Sequence, residues 1–318
     1  MSVANTVGAW TGEELAHEGF FFDSDGQVRD RVLPFVEEGL DLGQPVVVLA
    51  GDRVRRLLAE RMGADTARLA AFAAAEEFYC GGHEALARYR EGMEPLLASG
   101  RPWRLIGEPT WLADPGGDEW SRFEAVTNDA FAAFPYYSLC LHDRSRLPGD
   151  LVDAQRRVHP LAWDGEAPIP SAYYEPTSTF LRSVEPAWTD PPSETRTLHL
   201  TDLHGGRPMI QVWLDTSRLP SRVTDVMLAV YELVTNCLRA AGAAWIDQWS
   251  EGDVVVWQVR DEGPGLRDPT AGYAPPGQDL DSGRGLWLAR CLADDSAVRS
   301  EPGRGTSVRL LFRADRAG

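Results

Sequence analysis

Four short motifs follow one another through the last third of this 318-residue chain. They are Glu232-Leu233-Val234-Thr235-Asn236, Asp261-Glu262-Gly263-Pro264-Gly265, Gly283-Arg284-Gly285-Leu286 and Gly305-Thr306. Each motif is weak alone, because glycine pairs are common in turns. Their fixed order, with a helix or a strand end predicted under each one, indicates a site that binds a nucleotide and its phosphates.

The first motif lies on a helix predicted over about 220–241. Glu232 and Asn236 are four residues apart, so they share one face of that helix. An Asn side-chain oxygen suits Mg²⁺, which prefers hard oxygen ligands together with phosphate oxygens. A Glu can orient a hydroxyl group or a water molecule and accept its proton. The competing interpretation is a solvated helix surface.

The second motif has a carboxylate at the end of a predicted strand. Asp261 can accept a hydrogen bond there from an exocyclic amine such as adenine N6. Gly263 and Gly265 let the backbone approach a ligand closely. A tight turn without a ligand is the alternative, and this motif carries weight only beside the others.

The last two motifs lie at the start of a predicted helix and of the final strand. Gly283 and Gly285 precede the helix, where exposed backbone N–H groups favour phosphate. The long, turn-rich segment 267–282 suits a mobile lid over a nucleotide. The hydroxyl group of Thr306 would complete the base pocket.

The set resembles the GHKL (Bergerat-fold) ATPases over about 197–313, and within them the anti-sigma-factor serine/threonine kinases of partner-switching systems. The resemblance implies a histidine-kinase-like ATPase α/β sandwich with ATP and Mg²⁺ as cofactors. It implies Glu232 as the catalytic base, Asn236 as the Mg²⁺ ligand and Asp261 as the adenine contact. The remaining nucleotide contacts that it implies are Gly263, Gly265, Gly283, Arg284, Gly285, Leu286 and Thr306.

One position departs from that family. These kinases commonly carry a His four residues after the Asn, and Ala240 stands there in this chain. The departure leaves open a non-catalytic regulator in which bound ATP stabilises a conformation that holds a partner. A sensor histidine-kinase-like protein is the weaker alternative. Its phosphoacceptor would have to be His199 or His204, which lie in or beside the first strand of the ATPase region.

The first half of the chain alternates predicted helices and strands, as an open α/β sheet does. The continuous apolar run 45–50 is typical of a buried parallel strand. Gly51-Asp52-Arg53 follows it, without the GxxxxGK[ST] pattern, so we expect no P-loop in this half.

Several segments of the first half resemble the MEDS sensory domain over about 15–161, among them 17–21 and 104–108. That resemblance implies a RecA- or KaiC-like sheet and an unknown small-molecule signal. A sensory pocket is predicted from His17, Glu108, Glu124, Asn128, Cys140 and His159. A His and Cys set could hold a metal or a small ligand. The scattered spacing, however, contains no short metal motif, and hydrogen-bonded packing residues are the competing interpretation.

Length and composition fit two ordinary domains. We expect a sensory domain over 1–164, a Pro-rich linker or extended packing segment over 165–195, and the ATPase domain over 196–318. The net charge of −17 and the lack of a basic run argue against direct nucleic-acid binding. No apolar stretch is long enough for a membrane span, and the first residues do not resemble a signal peptide.

These observations predict a cytoplasmic anti-sigma regulatory factor under the control of its sensory domain. By resemblance, its partners are a sigma factor and an anti-anti-sigma (STAS-domain) protein that it phosphorylates on Ser or Thr. A homodimer is expected on the same ground. The four cysteines are far apart in sequence and are expected to be free thiols.

Overall fold

The computed structural model describes residues 10–75, 91–113, 117–184, 188–215, 218–268, 270–273 and 284–314. By its internal contacts the chain divides into two compact units, Met1–Val184 and Glu185–Gly318. Each unit has its own sheet and its own apolar core.

The first unit is built on a seven-stranded sheet. Its strands are β1 (Ala16–Phe22), β2 (Val46–Ala50), β3 (Ala71–Ala74), β4 (Trp103–Gly107), β5 (Tyr136–Asp143), β6 (Leu161–Trp163) and β7 (Pro168–Pro170). They lie in the order β3-β2-β4-β5-β1-β6-β7, and every neighbouring pair is parallel except β6 and β7. This is the open α/β sheet that the alternating pattern predicts.

Helices flank this sheet. They are α1 (Asp25–Asp41), α2 (Asp52–Met62), α3 (Gly117–Ala130), α4 (Gly149–Val158) and α5 (Thr177–Val184), and residues 91–98 are also helical. Helix α1 starts where Ser24 Oγ accepts a hydrogen bond from the Gln27 N–H at 3.4 Å. Its buried stripe, which includes Val28, Val32 and Val36, packs with α2 against one face of the sheet.

Strand β1 was not foreseen from the sequence, although it lies in the middle of the sheet between β5 and β6. It contains His17 and Glu18 and therefore lacks the apolar run that identified β2. Its polar groups are buried with partners. Arg31 donates to the two carboxylate oxygens of Glu18 at 2.9 and 2.5 Å, and Tyr137 donates to the same carboxylate at 2.5 Å.

The Pro-rich segment does not form a linker over its whole predicted length. Strand β7 pairs with β6, and α5 packs against α3, so residues up to Val184 belong to the first unit. Proline is tolerated in β7 because this strand lies at the edge of the sheet, where one side of the strand donates no hydrogen bonds to a neighbouring strand.

The second unit is a two-layer α/β sandwich. Its strands are β8 (Arg196–Leu200), β9 (Ala244–Glu251), β10 (Val254–Arg260), β11 (Asp295–Glu301) and β12 (Gly305–Arg313), and its helices are α6 (Leu203–Asp215), α7 (Val223–Ala241) and α8 (Arg284–Leu292). The strands lie in the order β11-β12-β10-β9-β8, and all neighbours are antiparallel. One apolar core joins the three helices to the sheet.

Helix α7 is the central helix of that core. Its buried stripe of Val226, Val230, Leu233 and Val234 recurs at helical spacing. The helix ends at Gly242, whose left-handed backbone (φ 72°) lets its N–H reach the carbonyl oxygen of Leu238. Burial of this stripe leaves Glu232 and Asn236 on the edge of α7 that faces α8. The two helices pack closely against each other.

In the part of the chain that the structure describes, each helix is too short or too polar to cross a bilayer. Cys140, Cys237 and Cys291 are free thiols, as predicted, and Cys80 lies outside the described residues.

Candidate functional site

The first and third motifs meet in the second unit. A Cβ atom placed on Gly285, in the first turn of α8, would lie 2.6 Å from Glu232 Oε2 and 3.0 Å from Asn236 Nδ2. A side chain at position 285 would force the Glu232 carboxylate to shift, so the glycine lets α8 start close to the two polar groups of α7. A helix start with its free N–H groups therefore lies beside a carboxylate and an amide.

The second and fourth motifs meet as well. The Asp261 N–H donates to the Thr306 carbonyl oxygen at 2.9 Å, and Asp261 Oδ1 accepts from the Gly263 and Thr306 N–H groups at 2.7 and 3.3 Å. The carboxylate at the end of β10 is thus held in one orientation by backbone donors.

A cavity of about 240 Å³ lies between these two pairs of motifs. Its polar lining comes from Asn236, Asp261 and Thr306, and apolar side chains such as Leu233, Leu266, Leu286 and Val308 form much of the rest. A mostly apolar cavity with a few fixed polar groups is the usual form of a small-molecule site.

Backbone shape at the rim of the cavity depends on two glycines. Gly265 has φ +79°, and a Cβ there would lie 2.6 Å from the Glu301 carbonyl oxygen. Gly305 has φ +90°, and a Cβ there would lie 2.0 Å from the Asp261 carbonyl oxygen. Both positions combine a left-handed backbone with a close backbone neighbour, so any other residue is strained there.

Ser300 is a site residue that the sequence analysis missed. Its Oγ accepts a hydrogen bond from the Leu266 N–H at 2.7 Å and lies 3.0 Å from Thr306 Oγ1. Ser300 thereby ties the loop after β10 to the last two strands. A single Ser in an exposed strand pattern gives no signal from which this role could have been predicted.

Cys237 lies in the wall of the cavity next to Asp261. Burial, together with the neighbouring Asp261 carboxylate, raises the pKa of the Cys237 thiol well above its usual range. The side chain is therefore neutral at physiological pH and contributes to the apolar wall.

The remaining predicted residues lie as follows. Arg284 is exposed at the start of α8, and Leu286 is buried in the cavity wall. Gly283 lies outside the described residues, as does most of the predicted lid. The described part of that segment packs on α8, where the Arg290 guanidinium lies 4.0 Å from the centre of the Tyr273 ring.

Ala240 also lines the cavity, one turn beyond Asn236. A Cβ on Gly263 would lie 3.3 Å from the Ala240 side chain, so the loop after β10 passes directly over this position. The departure from the kinase pattern is therefore in the site itself.

In the first unit, five of the six predicted pocket residues come together on the face of the sheet covered by α3. His17 Nε2 lies 3.3 Å from Cys140 Sγ and 3.3 Å from Glu124 Oε2. His17 Nδ1 is hydrogen-bonded to Asn128 Oδ1 at 2.9 Å. The rings of His17 and His159 are 4.3 Å apart.

The pKa values of His17, His159 and the neighbouring His142 are shifted in opposite directions. Burial opposes a charge on His17, but the neighbouring Cys140 and Glu124 outweigh it and raise its pKa to about 10. Burial lowers the pKa of His142 to about 3, and that of His159 well below its usual range, with the nearby His17 adding to both effects.

Glu108 is not part of this group. Its Oε2 accepts a hydrogen bond from the Gly51 N–H at 2.8 Å, in the turn between β2 and α2. Because side chains alternate along a strand, residue 108 lies on the same face as Ile106. The Ile106 side chain packs in the core under α1 and α2. The sequence could not reveal this, because side chains alternate between the faces of a strand whose exact end was unknown.

Two domain families match the chain. Residues 16–160 match the MEDS family, described as the MEthanogen/methylotroph, DcmR Sensory domain. Residues 197–312 match the histidine kinase-like ATPase domain. Each match lies within one of the two compact units.

Several similar proteins are anti-sigma F factors. That of Thermoanaerobacter sp. (strain X514) is 30% identical over 97 residues, which cover 28% of this chain and 68% of that protein. That of Bacillus subtilis (strain 168) is 31% identical over 98 residues, which cover 28% of this chain and 67% of that protein.

A solved structure, the Acinetobacter baumannii histidine kinase AdeS, matches 38% of this chain and 68% of its own at 13% identity and a TM-score of 0.24, a likeness too weak to bear on function. The histidine kinase-like ATPase domain match and the anti-sigma F factor relatives agree with the geometry of the second unit. The chain therefore belongs to the anti-sigma F factor family of kinase-like regulators, and it carries a MEDS sensory domain ahead of its histidine kinase-like ATPase domain.

Proposed function

We propose that this protein is an anti-sigma factor that binds MgATP, sequesters a sigma factor and phosphorylates Ser or Thr of an anti-anti-sigma (STAS-domain) partner. The observation that carries the proposal is the contact of Gly285 with Glu232 and Asn236, beside a cavity that ends at Asp261. The anti-sigma F factor relatives support the choice of partners.

The residues present fit an adenine nucleotide. The apolar walls from Leu233, Leu286 and Val308 suit a flat base. Asp261 offers a carboxylate whose Oδ1 is held by two backbone N–H donors. The helix start at Gly285 suits phosphate, and the Asn236 amide beside it would hold Mg²⁺.

ATP, when bound, supplies the phosphoryl group to be transferred. Glu232 would orient the partner's hydroxyl group and accept its proton. Glu232 is half-buried, one helical turn before Asn236, so the proton acceptor and the Mg²⁺ ligand lie on the same edge of α7. The rigid helix holds both groups without a loop rearrangement.

A second candidate is a regulator that binds ATP without transferring phosphate. Ala240 favours it, because the position lines the cavity and offers no polar group to the bound nucleotide or the incoming partner. In that case, occupancy of the cavity would stabilise the conformation that holds the sigma factor.

Phosphate transfer separates the two candidates. Purified protein with radiolabelled ATP and Mg²⁺ is mixed with each STAS-domain protein of the source organism, and incorporation into Ser or Thr is measured. Label in one partner, lost in Glu232→Gln while MgATP binding is kept, supports the kinase. MgATP binding with no incorporation into any of these proteins supports the non-catalytic regulator, and acid-labile label on the protein itself would indicate the histidine-kinase-like alternative.

The first unit is proposed to be the sensor that governs this activity. Its five-residue group of His17, Glu124, Asn128, Cys140 and His159 is buried or nearly so, so a signal that acts there has to enter the core or be held in it. A homodimer and a cytoplasmic location are part of the same proposal. They follow from the resemblance to the anti-sigma-factor kinases, and sedimentation of the purified protein tests the dimer.

A further inference from the structure

Four side chains in the core of the first unit bring together the donor atoms of a transition-metal site. His17, Glu124, Cys140 and His159 each offer one ligand atom, and these four atoms all lie within 4.8 Å of one another. They come from separate places: β1, α3, β5 and the residue that ends α4. All four residues are buried.

The atoms offered by His17, Cys140 and Glu124 lie close to the spacing that a tetrahedral ion requires. Tetrahedral coordination with bonds of about 2.0–2.3 Å separates the ligand atoms by roughly 3.3–3.8 Å. His17 Nε2 lies 3.3 Å from both Cys140 Sγ and Glu124 Oε2, and Cys140 Sγ lies 3.9 Å from Glu124 Oε2.

The outer hydrogen bonds orient both imidazoles as metal ligands are oriented. Asn128 Nδ2 donates to the Ala125 and Val158 carbonyl oxygens at 3.2 and 2.8 Å, which turns Asn128 Oδ1 toward His17 Nδ1. The His17 Nδ1–H therefore donates outward, and Nε2 faces Cys140 and Glu124. Such outer partners fix the tautomer of ligating histidines.

His159 repeats this arrangement. Its Nδ1–H donates to the Gln155 carbonyl oxygen at 2.6 Å, and its Nε2 is buried and has no hydrogen-bond partner among the residues that the structure describes. A buried lone pair without a donor needs an explanation. A closed network of hydrogen bonds around His17 satisfies Cys140 and Glu124 but leaves this nitrogen unused, whereas a metal ion would use it.

The backbone makes room for His159. Gly19 pairs with Cys140 across β1 and β5, and a Cβ on Gly19 would lie 2.9 Å from His159 Cγ. The ring thus packs over the one position of β1 that has no side chain, next to Cys140.

We propose that His17, Glu124, Cys140 and His159 bind one divalent transition-metal ion of the zinc class. Two imidazoles, a thiolate and a carboxylate favour Zn²⁺ or Co²⁺ over Ca²⁺ and Mg²⁺, which take oxygen ligands. Binding displaces the protons held by Cys140 and by the side of His17 that faces it. A filled, buried four-ligand site is of the structural kind and would join four elements of the sensory unit.

Cobalt titration of the full chain tests this site. Protein freed of metal by a chelator and then dialysed is titrated with CoCl₂ and followed by absorption. We expect one Co²⁺ per chain, with the visible bands of tetrahedral cobalt and a near-ultraviolet thiolate-to-cobalt band, and displacement by ZnCl₂. Failure of the wild-type chain to bind Co²⁺ or Zn²⁺ would overturn the proposal.

Variants locate the ligands. Cys140→Ser should lose the thiolate band, and Cys237→Ser, which changes a buried free cysteine of the other unit, should keep it. Asn128→Ala, a positioning residue, should weaken cobalt binding about 10–100-fold without removing the thiolate band. If Cys140→Ser does not fold, a chain that keeps Cys140 as its only cysteine decides the point, because loss of the band there contradicts the assignment.

Discussion

The two units hold their polar groups in opposite ways. In the second unit, Asn236, Asp261 and Thr306 line an open cavity and are only partly buried, and backbone N–H groups hold the Asp261 carboxylate. In the first unit, His17 and His159 lie in the core, and other side chains and backbone carbonyls fix them. The first arrangement suits a ligand that exchanges with solvent, and the second suits one that stays in place.

Glycine makes the difference possible. Around the cavity of the second unit, Gly265, Gly285 and Gly305 let the backbone lie where an added side chain would collide with neighbouring atoms. The core of the first unit is filled instead, and a charged pair, Glu18 and Arg31, is buried on the face of the sheet opposite the histidines. Substitutions in the two units should therefore fail for different physical reasons.

The largest expected loss of stability comes from the buried pair of the first unit. Arg31→Met leaves the fully buried Glu18 carboxylate without its cation and should cost about 3–5 kcal/mol in free energy of unfolding. Arg29→Met, on the exposed side of the same helix, should change stability by no more than about 0.5 kcal/mol.

Chemical denaturation measures the two variants, and hydrogen exchange assigns the loss to the first unit. Adding Glu18→Gln to Arg31→Met should recover part of the loss, because the uncompensated charge is gone. Equal stabilities of the Arg31 and Arg29 variants would contradict a stabilising role for the buried pair.

Gly305→Ala should cost about 3 kcal/mol or more and damage the cavity, since its Cβ would lie 2.0 Å from the Asp261 carbonyl oxygen at φ +90°. The matched control is Gly303→Ala. Gly303 has a similar φ of +74° but no atom within 4 Å of its added Cβ, so it should cost only about 1 kcal/mol. The difference between the two glycines isolates the close contact from the backbone strain, and thermal unfolding with and without ATP measures it.

Asn236→Ala should weaken MgATP binding by roughly 100-fold, which corresponds to about 2.7 kcal/mol, while leaving the fold intact because the side chain is only half-buried. Calorimetry with and without Mg²⁺ measures the change. Thr235→Ala, one residue earlier on α7, is the control and should bind like the wild type, because Thr235 Oγ1 donates to the Tyr231 carbonyl oxygen of its own helix. An Asn236 variant that binds MgATP normally would place the metal elsewhere.

The last expected effect is on thiol reactivity. Burial and the adjacent Asp261 carboxylate raise the pKa of Cys237, so its thiolate is scarce at neutral pH and its alkylation rate should still be rising at pH 9. ATP at about 100 times its Kd should slow the alkylation of Cys237 by up to about 100-fold. Peptide mass spectrometry follows Cys237 beside Cys291, whose rate ATP should leave unchanged, and equal protection of both thiols would argue against a ligand in the cavity.

Prediction from sequence identified the elements that carry the contiguous motifs of the second unit. The helix stripe of α7 and the strand end at Asp261 were predictable, since local periodicity and glycine placement mark them. The resemblance assigned Glu232 and Gly285 to one nucleotide site, but their close approach was not predicted. Ser300 was missed because its role depends on which strands become neighbours.

The first unit was harder to predict from sequence for a related reason. His17, Cys140 and His159 are brought together by a parallel sheet whose strands are far apart in sequence, and no short spacing records that. Glu108 was grouped with them although it lies on the other side of the strand, because a one-residue uncertainty at a strand end changes the face. Strand β1 was overlooked because buried polar residues interrupt its apolar pattern.

The most direct test of the central claim is a calorimetric titration of the full chain with ATP, with and without Mg²⁺. The account predicts one site per chain, with micromolar affinity that depends on Mg²⁺ and is lost in Asp261→Ala as well as in Asn236→Ala. Absence of binding to the wild-type chain under both conditions would contradict it, and the cavity between α7 and α8 would then not be a nucleotide site.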